Sequence, residues 1–175
     1  MQLPKFEVGK TTIGQLVDLV AEQFGDSKAL MYHKLGIDYT YREFRDVCNQ
    51  VAKGFMALGV QKGDKIAIWA NNVPEWLYTQ FGTPKIGAIM VTVNTAYRSF
   101  ELEYLMKQSD SQTLILIGGV RTPDEYVKVI YDVCPELKDS EPGKLKCAKL
   151  PELKNVIYLG KEKLPGTFSW EDVMA

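Results

Sequence analysis

Apolar residues recur along this chain in two rhythms, helical stripes three to four residues apart and short unbroken runs, separated by turn residues. Leu16, Val17, Val20 and Phe24 form the first stripe. Ahead of it, Thr12-Ile13-Gly14-Gln15 is a capping box: the threonine hydroxyl accepts the third helical N–H while the glutamine reaches back. A helix starts there, and Gly25 is expected to end it in the left-handed conformation. Residues 29–32 and 37–39 predict a hairpin around Leu35-Gly36. Thr40-Tyr41-Arg42-Glu43 is a second capping box, followed by the stripe Phe44, Val47, Cys48, Val51 and Phe55, with Gly59 closing the helix. The run Ile66-Ala67-Ile68-Trp69 then predicts a strand buried on both faces of a parallel sheet.

The second half repeats these signals. Asn72 is expected to cap a helix with Pro74 and Glu75 in its first turn, and Pro84 should kink or end it near Gly82. Residues 88–93 predict a second buried strand. Ser99 is expected to cap a helix carrying Leu102, Leu105 and Met106, and 113–117 predicts a third strand. Thr122-Pro123-Asp124-Glu125 reads as another capping box, before a helix whose apolar face is Val127, Ile130, Tyr131 and Cys134. Residues 136–153 are rich in Lys, Glu, Pro and Gly without periodicity and read as a surface connection; residues 1–11 read as an extended arm. A last strand is expected at 156–159, and Ser169 begins another helix. Strands alternating with helices imply an α/β fold, a mostly parallel sheet with helices on both faces.

Composition narrows the function classes. The chain has 175 residues, 46% hydrophobic and 25% charged, with a formal net charge of −1. That balance suits a single globular domain and gives no electrostatic reason to expect a nucleic acid partner. The lysines at 138, 144, 146 and 149 are diluted by acids and read as a solvated loop, with phosphate contact as the alternative. No apolar run approaches the roughly 20 residues of a membrane span, so no transmembrane segment is expected. Three widely spaced cysteines, Cys48, Cys134 and Cys147, make no disulfide framework and point to a cytoplasmic location. His33 has no companion ligands, so no metal site is expected.

Candidate chemistry is sparse. There is no Gly-x-Gly-x-x-Gly, Gly-x-Ser-x-Gly or complete P-loop in the sequence. Gly118-Gly119-Val120-Arg121 follows a strand and precedes a helix, and the Arg121 fork suits phosphate oxygens; a tight strand-to-helix turn with a solvated arginine is the other reading. Trp69, Trp76 and Tyr78 are aromatic enough for a stacking platform but fall on buried faces, where aromatics pack the core.

Three segments in order resemble the adenylate-forming superfamily, the AMP-dependent synthetases and ligases. Tyr39-Thr40-Tyr41-Arg42-Glu43-Phe44 is similar to its first core motif, with Phe44 in place of leucine. Leu58-Gly59-Val60-Gln61-Lys62-Gly63-Asp64-Lys65-Ile66-Ala67 resembles its Leu-Gly-Val-x-x-Gly-Asp segment, and Thr83-Pro84-Lys85-Ile86-Gly87-Ala88 its second core motif, with Pro84 as a departure. Val91-Thr92-Val93-Asn94-Thr95-Ala96-Tyr97-Arg98 followed by Glu101-Leu102-Glu103-Tyr104-Leu105 looks most like the fatty acyl-CoA ligase branch.

The resemblance implies the N-terminal subdomain of an acyl-CoA synthetase fold, with residues 1–175 forming the N-terminal part of the AMP-binding domain. It implies an enzyme that activates a fatty acid with ATP as an acyl-adenylate and transfers the acyl group to CoA, with Mg2+, ATP and CoA as cofactors of the full-length protein. Within that reading Arg121 is a candidate CoA phosphate contact. The family's Ser/Thr/Gly-rich phosphate loop ending in lysine, its Tyr-Gly-x-Thr-Glu segment and the lysine of its small C-terminal domain are not among these residues. The remainder of that domain and the C-terminal domain are therefore expected outside this sequence, the chain alone is expected to be inactive with no catalytic residue and no tightly bound cofactor, and the rest of the same polypeptide is its expected partner. The alternative is a short binding or regulatory protein that uses the same fold.

Overall fold

The computed structural model describes residues 9–175. Of the expected arm at 1–11, residues 1–8 lie outside the described residues, and 9–11 form a turn. Helix α1 (Ile13–Phe24) carries the Thr12–Gln15 capping box as expected, but Gly25 stays in the right-handed region at φ −50°, ψ −36°, so no left-handed residue ends this helix. Strands β1 (Lys28–Tyr32) and β2 (Ile37–Thr40) pair antiparallel as the hairpin. Helix α2 (Tyr41–Ala57) follows the Thr40–Glu43 capping box. Strand β3 (Lys65–Trp69), helix α3 (Pro74–Gly82), strand β4 (Ile89–Thr92), helix α4 (Ser99–Ser109), strand β5 (Thr113–Leu116), helix α5 (Glu125–Val133), strands β6 (Asn155–Tyr158) and β7 (Phe168–Ser169), and helix α6 (Trp170–Met174) complete the order.

Five strands form one sheet in the order β4-β3-β5-β6-β7, with every neighbouring pair parallel. Successive side chains on a strand point to opposite faces, and this alternation divides the core in two. On one face Ala67, Trp69, Leu114, Leu116, Val156 and Tyr158 pack under α4 and α5. On the other Ile66, Ile68, Ile115 and Ile157 pack under α1, α2, α3 and α6. Buried strands that feed helices on both faces are the reason β3, β5 and β6 run apolar after a polar first residue, Lys65, Thr113 and Asn155.

Several local expectations fail for physical reasons. Strand β4 is not buried on both faces: it pairs only with β3 at the edge of the sheet, leaving Ile89 half exposed. Val73, not Asn72, is the N-cap of α3, and it makes no side-chain cap bond; Pro74 and Glu75 do occupy the first turn. The helix ends at Gly82 and tightens into a 3-10 turn over Thr83–Ile86, as Pro84 predicts. Arg98 replaces Ser99 as the N-cap of α4, where the Glu101 carboxylate accepts its N–H at 3.0 Å. The Thr122 capping box does not form, because the Glu125 carboxylate turns to Arg98 and Arg121 instead. On α5, Ile130 and Cys134 are buried as expected, joined by Tyr126 and Val133, while Val127 and Tyr131 are only partly buried.

The connection 136–153 contains no α-helix or strand, yet it is not simply a surface segment. Leu137, Leu145, Cys147, Leu150 and Leu153 are all buried in the face that holds α4 and α5. The last short helix is stabilised by docking rather than by length: Gln50 of α2 donates to the Met174 carbonyl at 3.1 Å, and Val173 is fully buried. Among the described residues no helix is long and apolar enough to cross a membrane.

Candidate functional site

The chain runs from β3 outward to β4 on one side and then crosses to β5 on the other, so connections diverge at the carboxyl ends of β3 and β5. In open parallel sheets that divergence makes the crevice where ligands bind. Here the loop after β3 carries Asn71 and Asn72, and the loop after β5 carries Gly118, Gly119 and Arg121. A stacked aromatic pair fills the floor. Trp69 at the end of β3 lies against Tyr126 in the first turn of α5, with ring centroids 3.7 Å apart and planes 9° from parallel. Trp69 Nε1 donates to the Asn94 carbonyl at 3.0 Å, and the Tyr126 hydroxyl donates to the Thr95 carbonyl at 2.7 Å, so both polar tips are satisfied.

The Gly118-Gly119 turn is tight because backbone comes close: a Cβ on Gly118 would sit 1.9 Å from the Pro123 carbonyl oxygen, and one on Gly119 2.3 Å from that of Thr122. The turn delivers Arg121 to Glu125. Arg121 reaches that carboxylate through its N–H and its Nε, both at 3.1 Å, and the Arg98 guanidinium closes on the same carboxylate from the loop after β4. Glu125 is 8% exposed at the side chain, whereas Arg98 and Arg121 are 48% and 56% exposed. Burial pushes the Glu125 carboxyl up, but the Arg98 hydrogen bond, the Arg121 amide and both cationic charges outweigh it and hold it below the usual carboxylate range. Two guanidiniums on one carboxylate leave the cluster one net positive charge beside the turn that follows β5.

Of the residues singled out in the sequence for phosphate contact, Arg121 lies in this corner with its glycine turn, and the structure joins it to Arg98 and Glu125. Trp69 and Tyr78 are core residues, which removes the stacking platform. Tyr78 packs instead near Tyr39 and Phe44, with ring centroids 6.5 and 6.3 Å away. The lysine group is engaged locally: Lys144 pairs with Glu141, Lys149 with Glu103, and Lys138 lies over the Tyr131 ring.

The segments behind the resemblance serve the scaffold. Glu43 accepts the Thr40 N–H at 2.8 Å, Asp64 the Gln61 N–H at 2.9 Å, and Lys85, 9% exposed, pairs with Asp18 at 2.6 Å to fasten α1 to the turn after α3. A second cluster lies away from the crevice, below α5. There Cys134, Glu136 and Cys147 bring two sulfurs and a carboxylate oxygen within 4.8 Å of one another.

Comparison with known proteins fits this scaffold. The chain is 45% identical over 166 residues to the Bacillus subtilis (strain 168) protein named "Putative acyl-CoA synthetase YngI", covering 95% of this chain and 30% of that protein. It is 33% identical over 164 residues to the mitochondrial medium-chain acyl-CoA ligase ACSF2 of Bos taurus, covering 94% and 26%. Its fold matches the crystal structure of the anthranilate CoA ligase AuaEII in complex with anthranoyl-AMP, with a TM-score of 0.75 at 22% identity, over 94% of this chain and 28% of that one. The chain thus spans under a third of the length of these relatives. The AMP-binding enzyme family matches residues 17–171, nearly the whole sequence, and the chain belongs to that family.

Proposed function

We propose that the chain is the N-terminal part of an ATP-dependent acyl-CoA ligase that activates a fatty acid as its acyl-adenylate and passes the acyl group to CoA. The observation that carries this reading is the 33% identity to a medium-chain acyl-CoA ligase across 94% of the chain, with 45% identity to YngI across 95% beside it. In this reading the 175 residues are scaffold. Adenylation needs cations and backbone donors gathered around the triphosphate, and the described residues provide no such cradle: the glycine turn is filled by its own backbone and Glu125 already engages both arginines. ATP and Mg2+ would be held by other parts of the full-length enzyme. Arg121, half exposed and beside one net positive charge, suits a phosphate of CoA as a point contact.

Phe100 and Tyr104 on α4, 79% and 63% exposed, and the free edge of β4 support a role as one piece of a larger body. A segment exchange tests the proposal. Residues 12–170 placed in the corresponding stretch of the Bacillus subtilis relative should retain fatty-acid-dependent pyrophosphate release. A folded chimera without that activity would reject it.

A further inference from the structure

Beyond the 3-10 turn Pro135–Asp139 the segment at 134–153 has no helix or strand to hold it, yet it is packed into the core. Its base is where chemistry collects. Cys134 ends α5, Glu136 stands in the 3-10 turn Pro135–Asp139, and Cys147 returns from the far side of the loop. The two thiols are free and buried, at 0% and 3% exposure. The Glu136 carboxylate is fixed through one oxygen, which accepts the Ala148 N–H at 3.1 Å. Its other oxygen is buried and makes no well-formed hydrogen bond, its nearest donors being the weak ones of the Cys134 and Cys147 thiols.

We propose that Cys134, Glu136 and Cys147 bind a thiophilic divalent cation of the zinc type. Two cysteines packed as small apolar groups would explain their burial but not the third member. A carboxylate oxygen left beneath the surface with only weak thiol donors carries a desolvation penalty that a coordinated cation removes. Ligand atoms within 4.8 Å of one another need only a small contraction to meet tetrahedral zinc, whose bonds to sulfur and oxygen are about 2.3 and 2.0–2.2 Å. Two sulfurs and one oxygen select a borderline-soft metal over magnesium or calcium, which take oxygen ligands only.

Three protein ligands leave one position of the tetrahedron, which water takes. The half-buried Glu136 side provides the route of entry. Coordination requires both sulfurs as thiolates, so two protons leave to solvent for each cation bound. The cluster carries one net negative charge before and after, because the cation's two positive charges balance the two new thiolates. Bound metal would close the loop from Cys134 to Cys147 and fasten the irregular segment to the end of α5.

The test uses the whole chain, freed of metal and kept reduced with a phosphine, titrated with Co2+ alone. One equivalent is expected to bind with thiolate-to-cobalt charge-transfer absorbance in the near ultraviolet and the intense visible bands of a tetrahedral site, all abolished by added Zn2+. Cys134→Ser and Cys147→Ser are each expected to lose the charge-transfer band, Glu136→Gln to keep it with weaker binding, and Cys48→Ser to match the parent. A parent protein that shows no charge-transfer band in excess Co2+ overturns the proposal, and so does an undiminished band in the Cys134→Ser and Cys147→Ser double variant. The parent result decides by itself, so a serine variant that fails to fold does not shield the idea.

Discussion

Trp69 and Tyr126 stack face to face although one ends a central strand and the other opens a helix 57 residues later. Both are fully buried, so the pair ties the carboxyl end of β3 to the start of α5 at the point where the glycine turn brings the chain back. Tyr126→Phe should keep the stack and lose only the bond to the Thr95 carbonyl, a cost of about 1 kcal/mol. Tyr126→Ala also removes the ring, for about 3–5 kcal/mol. Urea denaturation of the two variants checks the order, and the difference between their near-ultraviolet circular dichroism spectra reports the stack on Trp69 against the shared contribution of Trp76 and Trp170.

Glu125 gives the crevice a pH signature. Its folded carboxyl titrates below the usual range. The stability it contributes is therefore complete above the unfolded value of about 4.3 and is lost as pH falls through the lower folded value. Glu125→Gln should be less stable than the parent at pH 7, and the difference should vanish once the parent carboxyl is protonated in acid. Urea midpoints measured across this range would show two converging curves; parallel curves would mean that the arginines contribute nothing through charge.

Gly54 inverts the ordinary helix rule. Alanine favours a helix interior over glycine by about 1 kcal/mol. Yet a Cβ here would lie 1.8 Å from the Val173 carbonyl oxygen of α6, so the helices must separate. Gly54→Ala should destabilise by about 1–3 kcal/mol net. Proteolysis should then cut first near residues 170–174, because α6 is held by this contact and the Gln50 bond rather than by its own length. An equally stable variant would show that α6 is not seated on α2 in solution.

Signals that are local in the chain were legible. The capping boxes at Thr12 and Thr40 and the Ser169 cap formed because their partners lie within one turn. Strands β3, β5 and β6 were readable because burial on both faces leaves an unbroken apolar run after the first residue of each. Signals that depend on distant partners were not. Glu125 looks like a capping residue beside Thr122 until Arg98, 27 residues earlier, claims it. Strand β4 has the composition of a central strand, and only the sheet order makes it an edge. The loop 136–153 hid its five buried apolar residues among lysines and glutamates without any period.

The same divide applies to the sites. Arg121 stood out because it follows a glycine pair, whereas Arg98 and Glu125 carried no signal that they would join it. Cys134-x-Glu136 with Cys147 eleven positions on has no compact ligand spacing, and only the folding of the irregular segment brings the three together.

Pyrophosphate release from ATP by the isolated chain, measured with fatty acids from medium to long length and against ATP alone, is the most direct check that these residues are scaffold rather than active site. Release should stay at the ATP-only background with every acid. Turnover that rises with fatty-acid concentration would place a working adenylation site within these 175 residues and contradict the assignment.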